Sequence, residues 1–544
     1  MATAKTPVFT REATGLVRQL GFLDQFIIAI GTMNITGGFV LTMVALPFFF
    51  PGANAIWVFI LGSIPAFAFV IEYGILSAAM PRSGGDYVWT GRILGPRWAA
   101  VMAILFLFSQ IIAFTALNAW AFVYLSIAPM LLSWGIVTGN PGLASLGATI
   151  VQPVWGFVLS VIFLIFQVIV AIAGMDIYRK VNRLAFFIFA ITAVLFMIAF
   201  PMIGQSGFKA GFDRGMASYN VTYDQVVSSI STNPQFTGFN LMSTLLAFPL
   251  LGFLTYSGFN FGSYAAGETK NVSDTIPKAL FSSVVVLLIC LVLLSSEAYS
   301  VLGQNFVGGI SYLFNTGALG SLSVQPTISF LVSLAVPLWL GIPINLTVGL
   351  GVFLVGLQTV VMFSRIIFAM SFDRIIPSKF ADVNEKFHSP HNAILTTGFL
   401  AAVFLSLYWF AGSGLLAGYL NTGMAVLVAY IIPGFAALLF PVLKKDMYKS
   451  MVKTLPGWLS WEIAGVPMIS IGGLGVVLVW GFGIISLVFP VSTYTYLGSS
   501  LPLATLYTIG PAILGLVIYE VARAYHKRKD GLDIGLVFAE IPPE

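Results

Sequence analysis

Twelve apolar stretches, each near the ~20 residues that a helix needs to cross a bilayer, follow one another along the 544 residues with short connections between them. They lie near 22–49, 57–80, 98–128, 154–174, 184–204, 241–266, 277–301, 346–372, 391–412, 414–440, 464–489 and 501–524. This pattern predicts an all-α polytopic membrane protein with about 12 transmembrane helices. Composition agrees, because only 8% of the residues are charged and mean hydropathy is +0.97, whereas soluble domains are about a quarter charged.

An even number of crossings puts both termini on one side, and Lys and Arg collect on the cytoplasmic side. All 25 basic residues except Lys209 and Arg214 fall on the side of the N-terminus. The expectation is a multi-pass protein of the cell membrane with both termini cytoplasmic. The net charge of +5 is scattered over short loops, so nucleic acid is not an expected partner. The predicted division is a tail at 1–21, a five-helix unit at 22–204, an outer loop at 205–240 and a second five-helix unit at 241–440. An inner amphipathic segment at 441–463, two further helices at 464–524 and a tail at 525–544 complete it. The outer stretch 302–345 carries short apolar pieces and is expected to fold back as a lid.

The first span is interrupted by Gly31-Thr32-Met33-Asn34-Ile35-Thr36-Gly37-Gly38. Glycine weakens a helix by about 1 kcal/mol, and lipid cannot bond a freed amide, so a break there is expected to line a polar cavity. The start of a second half-helix, near Thr36, Gly37 and Gly38, suits an anionic group. Span 6 repeats the pattern in Phe248-Pro249 and Thr255-Tyr256-Ser257-Gly258-Phe259. Five crossings separate the breaks, so the two units are inverted relative to each other, an arrangement found around transporter sites. Close helix packing through small residues is the simpler alternative.

Further strings carry a family resemblance: Pro81-Arg82-Ser83-Gly84-Gly85-Asp86-Tyr87, Glu268-Thr269-Lys270-Asn271, Ile276-Pro277-Lys278-Ala279, and Ser364-Arg365 with Ala369-Met370, Asp373 and Pro377. In this order, over roughly residues 20–440, the chain resembles the amino acid-polyamine-organocation transporter superfamily. The resemblance implies a five-plus-five inverted-repeat fold with spans 1 and 6 broken and two added C-terminal helices. It also implies alternating access and an amino acid or related amine as substrate. By the same similarity, the backbone at Ile35, Thr36, Gly37 and Gly38 takes a carboxylate, and Thr255, Tyr256, Ser257 and Gly258 receive an ammonium group. Three features depart from the family pattern. The first break reads Ile35-Thr36-Gly37-Gly38 where Gly-small-Gly-Ile is usual, Val272 follows Asn271 where proline is usual, and Phe189 stands where one subgroup has a lysine.

Coupling candidates are few. Glu72 is an intramembrane carboxyl, readable as a proton carrier or as a structural group. Asp24 at the start of span 1 reads as a helix cap or a coupling group. Thr359 on span 8 is placed to join span-1 carbonyls around sodium, or to bond within its own helix. No cofactor is expected beyond a coupling H+ or Na+, and oligomeric state stays open. Tyr256 or Phe259 is the expected outer gate. An enzyme is not expected, since no metal-ligand cluster or nucleophile-base pair is visible. Two rivals remain: a carrier of another small solute, such as an organocation or purine, and a nutrient receptor or channel.

Overall fold

The computed structural model describes residues 16, 18–33, 35, 37–231, 239–320, 322–410, 415–453, 455, 457–488 and 501–539. Among them, eleven helices are long and apolar enough to cross a membrane. They are Phe22–Phe49, Ala55–Ala79, Pro96–Thr138, Pro153–Ile172, Met175–Gly215, Val272–Leu302, Leu338–Phe372, His391–Phe410, Thr422–Leu443, Met468–Ile485 and Ala504–Lys529. These are spans 1–5 and 7–12, and the chain is an all-α polytopic membrane protein.

Span 6 is missing from the eleven because it is cut into short pieces. Helical turns at Leu241–Ala247 pass into a π turn at Phe248–Gly252, then Phe253–Tyr256, then 3-10 segments at Phe259–Tyr264 and Ala266–Glu268. Pro249 has no N–H to donate and its ring crowds the turn before it, and a wider π turn accommodates both defects. In span 1 most of the predicted interruption is helical, Ile35 included. Gly31, Thr32 and Met33 still belong to the helix Phe22–Met33, and the chain resumes as a π turn at Gly37–Leu41 before the helix Thr42–Phe49. Asn34 and Thr36 lie outside the described residues.

Several elements run further than the apolar windows. Span 3 contains two π turns, Ile111–Ala116 and Phe122–Ile127, and continues to Thr138 where a loop was expected from 129. The helix of span 5 turns at Gly204 (φ 57°) and continues to Gly215. The outer stretch after span 7 folds back as helices Gln304–Asn315 and Ile328–Ser333, and the Ser311 hydroxyl donates to the Val44 carbonyl in span 1.

Span 8 forms the centre, with 89% of its apolar window buried, whereas span 12 buries 28% and lies at the rim. Rim residues such as Phe399 and Val442 present bare apolar side chains outward, as expected of a surface solvated by acyl chains. At the end carrying the basic loops, the segment Ile534–Ala539 tucks Phe538 against Tyr87 and Arg92.

Candidate functional site

The helical part of span 6 ends at Tyr256, and Gly258 adopts φ 101°, a backbone state that glycine occupies without penalty. This turn touches span 1. The Thr32 hydroxyl stands 2.7 Å from the Gly258 carbonyl and 2.7 Å from its own Ile28 carbonyl, so its single proton serves one or the other. A β-carbon on Gly258 would lie 3.1 Å from that of Thr32, which is tighter than ordinary packing. One turn away the two spans meet again, since a β-carbon on Gly38 would overlap the Thr255 methyl. The Thr255 hydroxyl donates to Leu251 O at 2.8 Å and lies 3.4 Å from Thr42 Oγ1.

The structure therefore brings Gly38, Thr255 and Gly258 together with Thr32, which the sequence had not singled out as a ligand. Ile35 and Ser257 are buried nearby in the chain, Gly37 opens the π turn, and Thr36 is outside the described residues. Tyr256 and Phe259 both pack onto span 2: the Tyr256 hydroxyl donates to Phe59 O at 3.1 Å, and the Phe259 ring meets Phe69 edge-on at 6.2 Å.

The coupling candidates occupy different surroundings. Glu72 is fully buried, and its carboxyl makes no hydrogen bond among the described residues. Asp24 sits in the first turn of span 1, where it accepts the Gly21 N–H at 3.0 Å and a two-point contact from Arg183 at 2.7 and 2.9 Å. Thr359 faces span 3, taking a hydrogen bond from Thr115 at 3.0 Å and donating to Gly356 O. The span-1 carbonyl at Ile27 is met instead by the neighbouring Gln358, whose Nε2 lies 3.1 Å from it and 2.9 Å from Asn182 Oδ1 on span 5.

Below these contacts, the end carrying the basic loops is sealed. Arg365 forks onto Glu268 at 2.8 and 3.2 Å, with both side chains buried. Arg92 forks onto Asp373 at 2.9 and 3.1 Å, and Tyr87 donates to the same carboxylate. Gln25 donates to Thr269 and Gly262, while the Gln19 and Leu20 amides bond Glu268 O. Glu268, Arg365 and Asp373 belong to the strings that carried the resemblance. The composition of those strings did not reveal that they pair across spans 6, 8 and the helix Asp86–Ile93.

Comparison with known proteins agrees with this architecture. Residues 20–517 match the family described as amino acid permease. The branched-chain amino acid permease BcaP of Bacillus subtilis is 23% identical over 73% of this chain and 76% of its own. The methylthioribose transporter of the same organism is 23% identical over 84% and 91%. The thiamine transporter thi9 of Schizosaccharomyces pombe is 22% identical over 88% and 78%. With the family matched over nearly its whole length, this chain belongs to the amino acid permeases and is a membrane transporter rather than an enzyme.

Proposed function

We propose that this permease moves amino acids or related amines across the cytoplasmic membrane by alternating access, with both termini in the cytoplasm. The observation that carries the reading is the contact between spans 1 and 6: Gly258, in a left-handed turn, is held against Thr32, and Thr255 lies against Gly38 in the π turn that begins at Gly37. In this reading the backbone at Ile35, Thr36, Gly37 and Gly38 takes the substrate carboxylate. Thr255, Tyr256, Ser257 and Gly258 take its amino group, and release of the Thr32 bond frees the Gly258 carbonyl for that role. Tyr256 or Phe259 leaves span 2 to close the outer side. The units 22–204 and 241–440 are the two inverted halves, and spans 11 and 12 are additions to them. The sealed basic end is the closed cytoplasmic side.

Protein reconstituted in liposomes tests this. Radiolabelled amino acids are offered under a proton gradient, a sodium gradient, or against an internal pool of the same compound. Uptake of at least one, stimulated by one of the three, is expected. A second reading, a carrier of a different small solute, draws on the methylthioribose and thiamine transporters among the relatives. Failure of all amino acids with uptake of a thioribose or a thiazolium cation selects it. Binding without flux selects a receptor.

A further inference from the structure

A second buried polar cluster lies between the Thr32–Gly258 contact and the basic end. Asp86 is the first residue of the short helix Asp86–Ile93 and is wholly enclosed. Tyr73 of span 2 and Tyr264 of the inner part of span 6 both donate to its Oδ2, at 2.7 and 2.9 Å. Among the described residues its Oδ1 receives no side-chain hydrogen bond. Tyr264 accepts from Asn260 Nδ2 at 3.3 Å, and Asn260 Oδ1 takes the Tyr430 hydroxyl at 3.3 Å. Asn260 is two residues beyond Gly258, so the chain of contacts runs from Asp86 to the break in span 6.

Among the described residues no cation pairs with Asp86. The titratable groups facing it are Glu72 and Tyr73 from span 2, Tyr264 from span 6 and Tyr430 from span 10. Arg92 on its own helix is held by Asp373, and Arg365 on span 8 is held by Glu268.

Resting on the transport reading above, we propose that Asp86 is the proton-carrying group of this permease. It holds a proton while the cytoplasmic side is sealed and releases it when the inner part of span 6 moves away with Tyr264. In that step the carboxyl O–H bond breaks and the proton passes to entering water. Burial pushes the Asp86 carboxyl up to about 6, although the two tyrosine hydroxyls and nearby backbone amides pull it down. Water admitted on opening returns it toward the ordinary value near 4. The sealed form therefore binds the proton more tightly, so acid favours sealing. Raising the pH through about 6 favours opening. Because Tyr264 belongs to the moving piece, proton loss and inner opening are one event.

The test reads opening without needing a substrate. In a Cys290→Ser background, Ser263→Cys places a thiol at a buried position of the inner segment. Its labelling in inside-out vesicles by a membrane-impermeant maleimide is divided by that of Lys270→Cys, at an exposed position. The expected ratio rises several-fold from pH 5 to pH 7.5. Asp86→Asn, a permanently neutral side chain, keeps it low and flat. Tyr264→Phe removes a donor to the charged form and moves the midpoint up by about one pH unit. Glu72→Gln leaves the midpoint in place. Thermal melts of each variant confirm folding. An unchanged profile in folded Asp86→Asn, a downward shift in Tyr264→Phe, or a flat profile in Glu72→Gln overturns the proposal. Failure of every solute to accumulate in liposomes, with the labelling profile intact, would instead count against the transport reading.

Discussion

At Gly258, where span 6 meets span 1, backbone conformation and close approach coincide. At φ 101° an L side chain is strained, and the added β-carbon also presses on Thr32. Gly258→Ala is expected to cost about 1–2 kcal/mol, read as a lowered melting temperature, and to weaken substrate affinity more than a remote variant of equal stability loss. Thr32→Ser, which keeps the hydroxyl, should behave as wild type in both assays, whereas Thr32→Val, which leaves the Gly258 carbonyl unoccupied, should raise substrate affinity at a small cost in stability. Equal affinity in Thr32→Val and wild type would remove Thr32 from the site. Gly37→Leu, proposed to fill the carboxylate position, is expected to abolish binding while the folded protein persists in a melt.

Among the elements, the inner part of span 6 is tied down by the buried Arg365–Glu268 fork. Removing one member of such a pair leaves an uncompensated buried charge, which typically costs about 3–5 kcal/mol. Arg365→Gln should therefore lower the melting temperature strongly, and adding Glu268→Gln should restore much of the loss. A double-mutant cycle of melts checks this, and strict additivity would mean that the pair does not act as a unit. The C-terminal turn gives a milder case. Arg523 and the Gly535 amide hold the Asp533 carboxyl down to about 2, and Phe538 covers the Arg92 guanidinium at 4.9 Å. A depressed carboxyl contributes stability above its ordinary value near 4 and loses it as the pH falls through about 2. Docking of the turn should therefore be constant from pH 8 to 5, whereas Phe538→Ala should expose it to limited proteolysis at every pH.

These elements also show which parts were legible beforehand. Pro249 and Gly258 announced the broken span 6 because each changes what the backbone can do locally. The span-1 interruption was overdrawn, since glycines at 31, 37 and 38 permit a break without requiring one, and a π turn keeps more backbone bonded in lipid. The Gln358 bridge to Ile27 and Asn182 was out of reach. Span 8 is buried on nearly every side, so no apolar stripe fixes which residue faces which neighbour, and the sequence favours adjacent Thr359 equally well.

At the scale of the whole molecule, the distribution of charge is a statement about sidedness that no helix makes alone. The contacts sealing one end involve Arg92, Arg365 and the C-terminal turn, and this end carries the basic loops. Arg214, by contrast, lies exposed beyond the turn at Gly204, at the other end of the span-5 helix from Arg179. If lysine and arginine are retained inside, a thiol at Arg214 and one at Lys449 must respond oppositely to a reagent that cannot cross lipid. In a Cys290→Ser background, Arg214→Cys is expected to label in intact cells, and Lys449→Cys only after permeabilisation. The reverse result would invert the topology and turn the sealed end outward, so that Asp86 would meet external rather than cytoplasmic water. Labelling of both in intact cells would break the even count of crossings, and the assignment of span 6 as a complete crossing would be the first to fall, since it is built from the shortest pieces.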